Sequence, residues 1–351
     1  MANANAIANL LPTAAHEAWK YSDPAPYLKP VSTEYAPVHI DATNASIQPV
    51  STELFTGQHA VLKSISKNAG GACVQIVPQV SVDGSDPVLV RFSGDVGKSA
   101  HGTAQLHVPD NTTMLLIEEN TPDTEWVNTV FEISVGKNAT LRHYRSLAAW
   151  GEQGVRTQSI NVTVDRDSRY ETFSLVSGSN YNRQEVTVSL VGQNAEAAVF
   201  ALHLLSGKRL ADHTVLVRHM APNCRSDQFI RSVILDQAHG VFQGKIFVDK
   251  EGQQTDGYQM SNCLLLSPLA RMDVKPELEI YADDVRCSHG STSGPLQGEA
   301  LFYLQSRGLD KKSAQRLLCT AFIGEVVERL GDKEQAAKYL KEADLWLDQM
   351  L

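Results

Sequence analysis

From about Val74 to about Asp284 the chain carries short β-rich runs with no helix-length amphipathic segment between them. The runs are rich in Val, Ile, Thr and Phe: VLVRF from Val88, TMLLIEE from Thr113, INVTV from Ile160, EVTVSLV from Glu185 and GKIFV from Gly244. Each is bounded by Gly, Asn, Asp or Pro, the residues that end strands. Without helices between them, βαβ units are not expected, and the zone reads as all-β. A weak repeat lies over it. SVGKNATLRHYRSL begins at Ser134 and LVGQNAEAAVFALHL at Leu190, and both set a Gly-x-Asn-Ala turn between two apolar strands. LSPLARMDVKPEL, from Leu266, has the same strand–turn–Ala–strand rhythm. Gly and Asn suit a tight, left-handed corner, and Ala fits where successive coils stack closely. Such units predict a parallel β-helix. A β-sandwich with two similar hairpins satisfies the same pattern, and pattern alone leaves both open.

The flanks differ from the β zone. Residues 1–70 form a mixed, partly helical region, in which the prolines of SDPAPYLKP stop any longer helix. Residues 71–297 are the β core, and residues 298–351 switch to helical periodicity. There GEALFYLQSRGL is closed by Gly308, and Asp310 caps KKSAQRLLCTAFIGEVVERL. Ala314, Leu317, Leu318, Ala321 and Phe322 form the expected apolar stripe of that helix. Asp332 caps the last helix, with Gln335 as a capping-box partner. Leu340, Leu345, Trp346, Met350 and Leu351 leave apolar surface at the end of the chain, which serves either as a cap on the β zone or as a docking surface. On sequence alone the cap is favoured.

Composition removes several functions. With 351 residues, 42% apolar and 20% charged, the chain reads as a folded soluble protein. A net charge of −9 and no basic cluster argue against nucleic acid. No apolar run is long enough for a membrane span, and MANANAIANLLPTAAHEAWKYSD has no basic start to mark an export signal. Cys73, Cys224, Cys263, Cys287 and Cys319 are widely spaced and include no C-x-x-C, so neither a disulfide framework nor a zinc ribbon is expected. A reducing compartment, the cytoplasm, follows from that cysteine usage.

The candidate chemistry is in DDVRCSHGSTSG, from Asp283. Cys287 and His289 are two apart, so on an extended strand they share a face, along with Asp283 and Val285. Thiol and imidazole both bind iron or zinc. Two ligands are too few, because structural zinc and iron–sulfur sites normally take four. The site is therefore completed from elsewhere, or the pair is a buried thiol and a hydrogen-bonded histidine at a strand end, which is the commoner meaning of C-x-H. A cysteine nucleophile with its base is disfavoured, because i and i+2 side chains sit roughly 6–7 Å apart. HGSTSG lacks the lysine of a phosphate loop. His203, His213, His219 and Cys224 form a second cluster in sequence, in which even spacing puts His213 and His219 on one face. Taken singly, such histidines are more often core residues than ligands.

On these residues the chain resembles the SufB/SufD family of iron–sulfur cluster assembly subunits, and its SufD branch in particular. The resemblance runs strongest from about Arg209 to Phe322, through HGVFQGKIFVDKEGQQTDGYQMSNCLLLSPLARMDVKPELEIYADDVRCSHGSTSG and ALFYLQSRGLDKKSAQRLLCTAF. EAWKYSD, from Glu17, is similar to the family's entry motif, whereas residues 25–130 match loosely. Ser291, Ser293 and Pro295 stand where Ala, Val and Gln are common, which leaves Cys287 and His289 in place. The resemblance implies a mainly β fold: a right-handed parallel β-helix with helical terminal regions. It implies a non-enzymatic scaffold that pairs with SufB and docks the ATPase SufC through residues 298–351. His289, with Cys287 as a further participant, would then face a transient iron or nascent Fe–S cluster shared with SufB. The family's complex also associates with FAD, although this chain has no dinucleotide fingerprint. A homodimer of the isolated chain is a further expectation, since an exposed solenoid edge seeks a partner. The competing readings are a β-helix enzyme acting on carbohydrate and a free-standing metal-binding protein.

Overall fold

A computed structural model describes residues 17–28, 34–50, 62, 64–66, 71–79, 86–120, 125–147 and 154–351. Among these, strands run in chain order from β1 (Tyr35–Pro37) to β19 (Val285–Gly294). From β4 onward even-numbered strands make one sheet and odd-numbered strands the other, with β1 and β3 joining the even-numbered sheet and β2 the odd-numbered one, and neighbours in each sheet pair in parallel from the second coil onward. This is a parallel β-helix, which resolves the choice that the sequence left open. Stacked partners are separated by 26 to 32 residues, the length of one coil, as in Val155 beside Tyr181 and His239 beside Arg271. The first coil is edged by two antiparallel strands, β2 (His39–Thr43) and β3 (Ala45–Pro49). Three strands thus join the sheets before residue 71.

One corner repeats through the stack. Asn111, Asn138, Asp167, Asn194, Asn223 and Gln254 all have φ between 53° and 61°, one in each coil. Their side chains bond from coil to coil, Asn138 Nδ2 to Asn111 Oδ1 at 2.9 Å and Asn194 Nδ2 to Asp167 Oδ1 at 2.7 Å. Asn and Asp tolerate this left-handed backbone. The glycine of the repeat has a different task. A Cβ on Gly192 would sit 1.9 Å from the backbone nitrogen of Arg166 in the coil below. The following alanines, Ala139 and Ala195, are buried in the core. The unit from Leu266 turns the other corner, from the odd-numbered sheet back to the even-numbered one.

The strands outrun their apolar halves. INVTV and EVTVSLV are the later parts of β10 (Val155–Val164) and β12 (Tyr181–Leu190). The polar first halves continue the same ladder without a break. Val186, Val188, Val215 and Val217 fill the interior with Ala, Leu and Phe from the facing sheet. Roughly 25 cal/mol is gained for each Å² of apolar surface so removed from water.

Each flank covers one sheet. The segment from Glu17 to Leu28, with a 3₁₀ turn at Glu17–Trp19 and α1 at Ala25–Leu28, lies on the even-numbered sheet. Pro26 falls in the first turn of α1, where its missing N–H costs nothing. Trp19 stacks 3.8 Å over Arg183, and the Tyr181 hydroxyl donates to Ser22 O at 2.8 Å. At the other end, α2 (Gly298–Ser306), α3 (Lys311–Val327) and α4 (Lys333–Met350) cover the odd-numbered sheet. Gly308 ends α2 at φ +96°. Asp310 accepts from Ser313 N, and Asp332 from Gln335 N. The capping box is half made, because Gln335 Oε1 has no partner. The buried stripe of α3 is Ala314, Cys319, Ile323, Val326 and Val327, so the sequence-based stripe is rotated. Leu317 points outward at 48% exposure, because the sheet receives the face that carries Ile323 and Val327.

Candidate functional site

The candidate site lies on the last coil of the solenoid. β18 (Arg271–Ile280) pairs only with β16 (His239–Val248), and β19 only with β17 (Thr255–Leu265), so both present a free edge among the described residues. In a solenoid the interior columns are covered by the next coil. Here no next coil follows among the described residues, and the column ends at Cys287 and His289. In register, Cys287 stands over Gly257 and His289 over Gln259. A Cβ on Gly257 would lie 3.4 Å from Cys287 Sγ, so the thiol points inward. Gly290, of opposite parity, faces Met260 on the helix-covered side. His289 therefore shares the inward face with Cys287, as the i, i+2 spacing predicts.

Their surroundings differ. Cys287 packs with Val285 against Ile246, Val248 and Ala282, and is half-buried. Burial pushes its thiol pKa up; a hydrogen bond from the Gly257 backbone opposes this, and the charge of Asp256 adds to it. His289 is exposed at the mouth. Asp283 lies in the bend before β19 begins and is not on this face, because the strand starts at Val285. No group of three or more His, Cys, Asp or Glu among the described residues could hold a metal ion. The pair is two ligands at an opening.

His203, His213 and His219 are interior. His213 and His219 share a face of β14 (Leu210–His219), as even spacing requires, but six residues place them roughly 20 Å apart. His219 is bound by Ser226 at 2.8 Å and Thr255 at 3.3 Å. The ring that meets His213 is His203, at 5.7 Å between centroids, and His203 bonds Ser232 at 3.2 Å. Burial lowers the pKa of both His203 and His219 to about 4, so they are neutral core groups. Cys224 gives its thiol hydrogen to Gly192 O at 3.4 Å. None of these joins the Cys287–His289 pair.

Sequence reasoning missed a buried charge network in the middle of the solenoid. Glu118 bonds Arg156 Nη2 at 2.5 Å and Gln158 Nε2 at 2.9 Å, and His143 Nε2 lies 3.4 Å away. Arg145 reaches Gln158 Oε1 at 3.2 Å. Burial pushes the Glu118 carboxyl up, but the His143 hydrogen bond and the charges of Arg156 and Arg145 outweigh it and hold the pKa at about 2. Glu118 and Gln158 are 40 residues apart, so no local pattern announces them.

A cleft of about 500 Å³ separates the last coil from α2 and α3. Its charged lining is Arg231 and Glu325, paired with each other, and Arg231 also stacks on Phe229 and Phe322.

Residues 91–322 match the family model described as SUF system FeS cluster assembly, SufBD core domain. The chain belongs to that family. It is similar to the iron–sulfur cluster assembly protein SufD of Escherichia coli K12, with 26% identity covering 92% of this chain and 86% of that one. An iron–sulfur cluster assembly SufBD family protein of Synechocystis is 32% identical over 58% of this chain, and the chloroplastic protein ABCI7 of Arabidopsis thaliana 30% over 73%. The alignments span 45% and 57% of those two longer relatives. The SufBD core match ends at Phe322 and takes in the whole last coil, Cys287 and His289 included. No helix among the described residues is long and apolar enough to cross a membrane.

Proposed function

We propose that the chain is the SufD-type scaffold subunit of an iron–sulfur assembly complex, without ATPase or other catalytic activity of its own. In this reading its open solenoid end pairs with SufB, and His289 and Cys287 supply part of the ligand set for iron or a nascent cluster held between the two chains. The observation that carries it is the coincidence of three features on one coil: free strand edges, an inward thiol and imidazole, and too few ligands to hold metal alone. A free edge accepts a further strand, and a partner so seated places its own side chains over the same mouth. Iron then has to displace the proton that burial keeps on Cys287. Five free thiols match a reducing cytoplasm.

SufC docks on the helices in this reading. Phe302 and Tyr303 of α2 are 73% and 55% exposed, on a helix with no buried residue. Co-expression with SufB and SufC tests the whole assignment. The expected product is a three-chain complex that contains iron, with no stoichiometric iron on the chain alone. Failure to assemble with either partner removes the proposal. Stoichiometric iron on the lone chain supports the free-standing metal protein instead.

A further inference from the structure

The interior column beneath the mouth is in strict register. Gln228 of β15 (Arg225–Ile234) lies under Gln259, and Gln259 under His289. Both glutamines are buried, at 0% and 1% exposure. Each gives its side-chain N–H to a main-chain carbonyl of β16, Gln228 Nε2 to Lys245 O at 3.4 Å and Gln259 Nε2 to Gly244 O at 3.3 Å. That contact settles which end of each carboxamide is nitrogen, since an oxygen there would face another oxygen. Both Oε1 atoms are then left buried and without a donor. Gly244 makes the seat, because a Cβ on it would lie 2.4 Å from Gln259 Nε2. The two glutamines differ in what stands above them. Over Gln228 is Gln259, whose Nε2 gives one N–H to Gly244 O and makes no bond to Gln228 Oε1. Over Gln259 is His289, which has a ring N–H to give.

We propose that Gln259 is the positioning residue of the site: its Oε1 accepts the N–H of one His289 ring nitrogen and leaves the other, without a proton, facing out of the mouth toward metal. The inference rests on the reading of His289 as a ligand. A neutral imidazole has one donor and one acceptor nitrogen, and the group that takes its N–H decides which is which. Metal-binding histidines nearly always spend their second nitrogen in this way. Rungs in register bring Cβ atoms to roughly 5 Å, and rotation of the ring about its two side-chain torsions closes the rest. Cys287 needs no such acceptor, because a thiolate has no tautomer to select.

The test reads the tautomer before any metal is present. In the isolated chain labelled with ¹⁵N-histidine, long-range ¹H–¹⁵N spectra give one tautomer for His289, whose signals are assigned by their loss in His289→Ala. In Gln259→Leu the two tautomers mix, and Gln259→Glu, which keeps an acceptor, restores one. Gln259→Met, closer in length, replaces Gln259→Leu if that variant does not fold. In complexes co-expressed with SufB and SufC, iron content falls about tenfold in the apolar variant and recovers with Glu. Gln228→Leu, one coil deeper, leaves tautomer and iron as they were. Unchanged tautomer and iron in the apolar Gln259 variant overturn the proposal, and so does an equal effect from Gln228→Leu, which would make the column purely structural. If His289→Ala itself keeps its iron, the reading of the site fails instead, whatever Gln259 does.

Discussion

The middle coils and the last coil are built alike, with the same strands, the same register and inward columns of polar side chains. They differ in what those columns meet. In the middle, Glu118, His143, Arg145, Arg156 and Gln158 meet one another and are sealed by coils on both sides. At the end, Cys287 and His289 have no further strand above them among the described residues. Polar chemistry inside the solenoid is therefore structural where the stack continues and available where it stops. The proposed function thus rests on termination of a repeat more than on any special residue pair.

The comparison breaks most visibly in acid. His101, His143, His203 and His219 are buried, and burial holds their pKa values at about 3, 4, 4 and 4. The unfolded chain takes up those protons below about pH 6.5. A lowered histidine pKa thus gives stability that is intact above pH 6.5 and lost as pH falls toward 4, by on the order of 1.4 kcal/mol per pH unit for each group. Urea midpoints measured from pH 7.5 to 4.5 check this, and a flat profile would show that the middle coils are not sealed. Next in size is Arg156→Leu, which strands the Glu118 carboxylate in the interior. It costs about 3–5 kcal/mol in urea unfolding. His289→Ala, at the open end, costs under about 0.5 kcal/mol by the same measurement. Equal losses in the two variants would erase the distinction. Smaller still in stability is Phe302→Asp on α2, which leaves the fold unchanged while weakening SufC capture about tenfold or more in a titrated pull-down.

The contrast also explains what the sequence could show. VTV in β10, VTVSL in β12 and the corner residues Asn138 and Asn194 are local signals, and they predict a stacked β architecture. Asp310 and Asp332 mark helix starts by chemistry confined to one turn. Arg156 and Arg183 sit in strand halves that read as polar loops, because partners that bury them are distant: Glu118 lies 38 residues from Arg156, and Arg183, though paired locally with Glu185, also bonds Ser22, 161 residues away. The buried face of α3 was misjudged for the same reason, since the sheet beneath it selects Ile323 and Val327 over Leu317. At the site, spacing alone put Cys287 and His289 on one face. That the solenoid ends on that strand, and that Gln259 waits beneath His289 with an unused oxygen, are facts of stacking that no local pattern contains.

The most direct measurement is the iron content of the purified complex with SufB and SufC, compared between the wild-type chain and His289→Ala at equal subunit ratios. An open end that shares its ligands predicts intact assembly and a sharp fall in iron for the variant. Assembly with undiminished iron would contradict it.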